Sequence, residues 1–207
     1  MSGETGADRS ELHLCEPAGD VVSRARAGDP EAFRIIFQRY GKPILAFVFH
    51  LLGDKSRAEE LTQEVFFRAF RGIGRFQEGA RLSTWLFGIA RNVVWEAIRN
   101  RRRRLHEVVL DDSISRTLHD GRADPGDNFL SVELQRVIRR SIQDLSDDQR
   151  IVFVLKMLNK MRYRQISQIT GSSIGKLKTD LRRARQQVRE KLKPYLAGRV
   201  SEMRGDL

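Results

Sequence analysis

Residues 162–188 read RYRQISQITGSSIGKLKTDLRRARQQV. Tyr163, Ile166 and Ile169 fall at helical spacing, and Thr170-Gly171-Ser172-Ser173 supplies a tight turn with a cap. Ile174, Leu177, Leu181, Ala184 and Val188 then recur by threes and fours. The pattern predicts a short helix, a glycine turn and a second helix with one apolar seam, a helix-turn-helix. Off that seam lie Lys176, Lys178, Thr179, Asp180, Arg182, Arg183 and Arg185, with Ser173 at the helix start. Cations and hydroxyls near a helix start suit a major-groove reader, which needs donors for phosphates and base edges. The plainer alternative is a helical hairpin with a solvated basic face.

Charge distribution favours the first reading. The 207 residues carry 38 Lys+Arg against 27 Asp+Glu, a net +11. Residues 1–104 hold 18 basic and 13 acidic groups, residues 105–130 hold 2 and 6, and residues 131–207 hold 18 and 8. Two basic segments, +5 and +10, flank an acidic one of −4. A polyanionic partner is the natural inference.

The other segments read as helices too. Ser146 with Gln149 makes a capping box before the apolar run Ile151 to Leu155, and helical period begins upstream at Phe129. Near the N-terminus, Asp29-Pro30-Glu31 starts a helix carrying Phe33, Ile36, Phe37 and Tyr40. Gly41-Lys42-Pro43 interrupts it, and Ile44, Phe47, Val48, Leu51 and Leu52 continue the period, as a second helix or as one helix with a break. A further helix is expected from Ser56, with Glu59 completing a capping box and Leu61, Val65, Phe66, Ala69 and Phe70 on its apolar face. Leu82, Trp85, Leu86, Ile89, Val93 and Ala97 mark another, which runs into the arginine run at 99–104. The fold class is therefore all-α, two small helical domains joined by a flexible acidic linker. The expected divisions are a disordered segment over 1–27, a first domain over 28–104, the linker over 105–128, a helix-turn-helix domain over 129–197 and a frayed tail over 198–207.

Several function classes are disfavoured. No run of eighteen apolar residues and no apolar N-terminal stretch occurs, so a membrane span and a secretory signal are not expected. A single cysteine, Cys15, makes neither an internal disulfide nor the usual zinc cluster, and the chain reads as cytoplasmic and reduced. His13, His50, His106 and His119 are scattered, and Gly72-Ile73-Gly74 lacks the context of a dinucleotide loop. No catalytic residue, metal ligand, cofactor or small-molecule substrate is expected.

Three strings resemble one known family, the extracytoplasmic-function sigma factors of bacterial RNA polymerase. They are residues 58–66, AEELTQEVF; residues 83–92, STWLFGIARN; and residues 174–179, IGKLKT, with Arg183-Ala184-Arg185. The resemblance implies a sigma region 2 in the first domain and a region 4 in the second. It places Glu60, Gln63 and Glu64 on the polymerase β′ clamp helices, with the β flap as a second contact of core RNA polymerase. It assigns the minus-ten element of promoter DNA to Gln77, Glu78, Arg81, Ser83, Thr84, Trp85, Arg91, Asn92, Arg99, Arg101 and Arg102. The minus-thirty-five element falls to Ser173, Lys176, Lys178, Thr179, Asp180, Arg182, Arg183 and Arg185. A membrane-linked anti-sigma protein is a further implied partner. Asp180 stands where the family usually has a basic residue, and Arg164 and Gln165 where it often has acidic ones. Two rivals remain: a stand-alone helix-turn-helix regulator that binds duplex DNA without polymerase, and a single-strand binder that uses the arginine run.

Overall fold

Asp29, Asp54, Ser146 and Ser173 each cap the start of a helix. The computed structural model describes residues 17, 19–77, 79–108 and 129–202. Its elements are α1 (Gly19–Arg26), α2 (Pro30–Leu52), α3 (Lys55–Gly72), a 3-10 turn (Ile73–Arg75), α4 (Leu82–Val108), α5 (Phe129–Gln143), α6 (Asp147–Phe153), a π turn (Val154–Leu158), α7 (Tyr163–Thr170) and α8 (Ile174–Glu202). No strand occurs among the described residues.

The Asp29 carboxylate caps α2, accepting from Glu31 N at 2.9 Å and Ala32 N at 3.4 Å, with Pro30 in the first turn. Arg24 pairs with the same carboxylate and, together with those N–H groups, holds its pKa below the usual value. Helix α2 passes Pro43 without ending. An interior proline costs about 3 kcal/mol, but Tyr40, Ile44 and Phe47 on both sides are wholly buried and their packing offsets it. Phe47 meets Phe87 of α4 edge to face at 5.1 Å, at the centre of the α1–α4 bundle.

The structure corrects four expectations. The N-terminal segment is helical over Gly19–Arg26, because Ala25, Val21 and Val22 find apolar cover on the bundle. Asp54, not Ser56, caps α3, its carboxylate accepting from Arg57 N at 3.0 Å. Phe37, Phe70 and Ile174 sit 48%, 51% and 38% exposed rather than inside the core. Helix α4 overruns Arg104 to reach Val108, and α8 runs past Gly198 to Glu202. Most of the expected linker, 109–128, lies outside the described residues.

Helices α5–α8 form the second unit. The Ser146–Gln149 capping box is present, with Gln149 N donating to Ser146 Oγ at 3.4 Å and Ser146 N to Gln149 Oε1 at 3.2 Å. Ile151 to Leu155 is buried helix, and Ile142 and Leu145 complete the core with Leu177 and Leu181. The units touch along two seams, α2 against α5 and α6, and α4 against α7.

Candidate nucleic-acid and partner interfaces

Two solvent-facing regions carry the predicted chemistry, one on α3 and one spread over α4 and α8. On α3, Glu60, Gln63 and Glu64 line a shallow groove of about 430 Å³ together with Leu61 and Phe67. Phe67 is 56% exposed, and Phe37 and Phe70 expose further aromatic surface on α2 and α3. Glu60 pairs with Arg57, while Glu64 accepts from Arg68 Nε at 2.6 Å. Arg68 also reaches Glu96 of α4 at 2.8 Å, and the two carboxylates raise its pKa further. Carboxylate, amide and aromatic side chains thus share one open surface, a composition suited to a basic, partly apolar protein partner.

Helix α4 presents Asn92, Arg99, Arg101 and Arg102 to solvent, with Gln77 and Arg81 exposed before it. Arg91 Nη1 donates to Asn92 Oδ1 at 3.2 Å, and the Arg91 guanidinium lies 5.8 Å from the Trp95 ring centre. Trp85 is half-buried against Phe76, ring centres 5.3 Å apart. Ser83 is 1% exposed, so the structure places it in the core and not on a DNA-facing surface. Its position one residue into α4 turns it toward the bundle. Glu78 lies outside the described residues.

The helix-turn-helix is built locally. Gly171 ends α7 at φ +73°, a left-handed conformation, and its N–H donates to Ser167 O at 2.8 Å. Ser167 Oγ donates to Ser172 O at 2.8 Å, and Ser172 N donates to Thr170 Oγ1 at 3.2 Å. Ser173 caps α8 by accepting from Lys176 N at 3.3 Å, so its oxygen serves the helix start. Leu177, Leu181, Ala184 and Val188 are buried, leaving Lys178, Thr179, Arg182, Arg183 and Arg185 exposed. Lys176 is tied to Asp148 of α6 at 2.6 Å and to Asp180 at 2.8 Å. Asp148 and then Asp180 raise its pKa. Asp180, its side chain only 13% exposed, therefore holds a neighbouring lysine.

Sequence reasoning missed the contacts between the units. Gln165 Nε2 donates to Thr84 Oγ1 at 3.4 Å, Arg102 pairs with Asp147 at 3.0 Å, and Arg139 stacks 4.9 Å over Phe49. Gln143 and Arg150 donate to the last carbonyls of α2, those of His50 and Leu51, at 2.8 and 2.9 Å. The signal in the sequence was weak: polar residues on α5 and α6 that the apolar period did not need. Among the described residues no cluster of His, Cys, Asp or Glu could hold a metal, and no helix is long and apolar enough to cross a membrane.

Comparison with known proteins places both units. Residues 36–104 match the Sigma-70 region 2 family and residues 135–188 match Sigma-70, region 4. The chain is 31% identical over 181 residues to the ECF RNA polymerase sigma factor SigW of Bacillus subtilis (strain 168), covering 83% of this chain and 95% of that one. It is 27% identical over 183 residues to the ECF RNA polymerase sigma-E factor of Escherichia coli (strain K12), covering 85% and 94%. Among solved structures it is similar to the sigma factor RpoE in complex with the anti-sigma factor NepR from Bartonella quintana. That likeness has a TM-score of 0.65 and 27% identity over 78% of this chain and 96% of the other. CnrH in complex with the cytosolic domain of CnrY has a TM-score of 0.64 at 18% identity, over 84% of this chain and 96% of the other, a likeness of fold.

Proposed function

The chain belongs to the extracytoplasmic-function sigma factors, and from that premise we propose which of its surfaces performs each step of initiation. It binds core RNA polymerase and directs promoter-specific transcription. The groove of Glu60, Gln63 and Glu64, flanked by exposed Phe67, docks the polymerase β′ clamp helices through charge-assisted hydrogen bonds and aromatic cover. Helix α8 enters the major groove upstream, where Lys178, Thr179, Arg182 and Arg183 meet phosphates and base edges.

Downstream, Asn92 and the aromatic residues of α4 trap an unstacked base, while Arg99, Arg101 and Arg102 hold adjacent phosphates. Extruding a base costs a few kcal/mol, offset by pocket contacts and by the grip of polymerase. Such a factor performs no covalent chemistry of its own and works in the cytoplasm. An anti-sigma protein is its inferred regulator, by likeness to RpoE with NepR.

The single observation that carries the residue assignments is the pairing of an acidic, aromatic groove on α3 with cation-bearing surfaces on α4 and α8. Run-off transcription with purified core polymerase on a genomic promoter pool tests the reading. Defined start sites should appear only when the protein is added, and should vanish with a Gln63→Ala/Glu64→Ala variant that no longer co-elutes with core. Co-elution of a folded double variant overturns the docking assignment.

A further inference from the structure

Lys176, Lys191 and Lys193 of α8 are paired with carboxylates, those of Asp148 and Asp180, of Asp144 and of Glu190. Lys178 and Arg185 are held differently. Arg185 donates from Nε and Nη2 to the thioether sulfur of Met157, at 3.3 and 3.0 Å. Lys178 Nζ stands 6.0 Å from the ring centre of Tyr163. Both partners are neutral, so each fixes a long side chain without cancelling its charge. A carboxylate would fix the same side chain and also present its own negative charge to an approaching phosphate.

The two supports flank one wide turn. After α6 the chain opens into the π turn Val154–Leu158, closed by Asn159, whose N–H and Nδ2 both donate to Val154 O at 3.1 Å. Met157 lies in that turn, and its sulfur meets α8. Lys156, the residue before it, donates to Met161 O at 3.0 Å and lies 5.0 Å over the Tyr163 ring, which it helps to seat. Lys178 and Arg185 are seven residues apart with Arg182 between them, and all three are exposed on one stripe of α8. The stripe spans about 10 Å along the axis. Lys176 and Asp180, tied to each other, fall on the opposite flank of the helix.

We propose that Met157 and Tyr163 are positioning residues for duplex recognition, presetting Arg185 and Lys178 at full charge as the phosphate-contacting edge of α8. Arginine has five N–H donors; those that Met157 does not occupy remain for a phosphate. A side chain already held loses little rotamer freedom when it binds. The contacts stand alone, whereas their part in DNA binding rests on the role proposed above for α8.

Two measurements test this. In the free full-length chain, nitrogen relaxation of the Arg185 Nε–H should report a rigid group. It should become mobile in Met157→Leu and rigid again in Met157→Gln, whose amide oxygen restores an acceptor. A wild-type group as mobile as that of Met157→Leu overturns the proposal. Holoenzyme binding to a duplex promoter fragment recovered by run-off transcription is then followed against salt. Met157→Leu should weaken it about threefold and keep the salt slope, because the charge remains, whereas Arg185→Ala should lower the slope by about one. In an Arg185→Ala background Met157→Leu should cost nothing further, and Tyr163→Leu should likewise cost nothing further on Lys178→Ala. An equal loss with and without the cation means a merely structural role and overturns the proposal, as does wild-type affinity in Met157→Leu. Absence of promoter binding by the wild-type holoenzyme would strike the proposed function and leave the relaxation result standing.

Discussion

Helices α4 and α8 carry the side chains proposed to meet nucleic acid, yet their settings differ. The turn into α8 is made by groups within a few residues of its start, Gly171, Ser167, Thr170 and Ser173, while its seam of Leu177 and Leu181 packs on α5 and α6. Helix α4 is aimed by groups far away in sequence, such as Phe47 beneath it and Gln165 and Asp147 beside it. A recognition element fixed locally can be read from a short string. One fixed by distant contacts becomes legible only once the fold brings those partners together.

The largest test of this contrast removes the seam of α8. Leu181→Ala should destabilise the second unit by about 2–5 kcal/mol, read as a fall in its unfolding midpoint. Hydrogen exchange should show amides of α5–α8 losing more protection than those of α2 and α3. Equal loss in both would mean that the units do not differ in how they are held. Gly171→Val comes next. A β-branched residue at φ +73° costs about 1–2 kcal/mol, so the midpoint should fall less and α8 should bind duplex DNA poorly. A variant as stable and as tight as wild type would show that the turn does not set the aim of the helix.

Lys178→Ala probes the exposed face alone. Duplex affinity of the holoenzyme should weaken about evenly across sequences, and the salt slope should drop by about one. An unchanged slope removes Lys178 from phosphate contact. The smallest effect lies at the seam between the units. Burial, and then Arg139, hold the His50 imidazole below its ordinary 6.5, with Arg150 also bound to this end of α2. The neutral ring is the folded form. Its contribution is therefore complete above pH 6.5 and is lost as the pH falls from there through the lower folded value. The unfolding midpoint should drop between pH 7.5 and 5.5, and His50→Gln should flatten that drop. Equal slopes would show that His50 does not feel the seam.

The same contrast explains what the sequence made legible. The turn of the helix-turn-helix, the Asp29 cap and the Ser146 box are local arrangements, and the residues that make them stand next to one another. Helix α1 shows no face in the sequence because its apolar content is Val21, Val22 and Ala25, too little to signal one until a bundle covers it. Phe37 and Phe70 keep the helical period yet stay half exposed, because period alone does not tell which apolar side chains a neighbouring helix covers. Thr84 and Gln165 are 81 residues apart, and nothing polar in either segment announces the other. Asp180 looked like a base reader by position, yet the lysine one turn before it takes its carboxylate.

Helix α4 runs without interruption from Leu82 to Val108. From Thr84 to Arg102 it is a straightedge of about 27 Å, since each residue advances about 1.5 Å. On the roles proposed for Asn92 and Arg102, about 15 Å of that helix separates the base trap from the last arginine. Lengthening the helix by a single residue at its middle would swing every downstream arginine by about 100°.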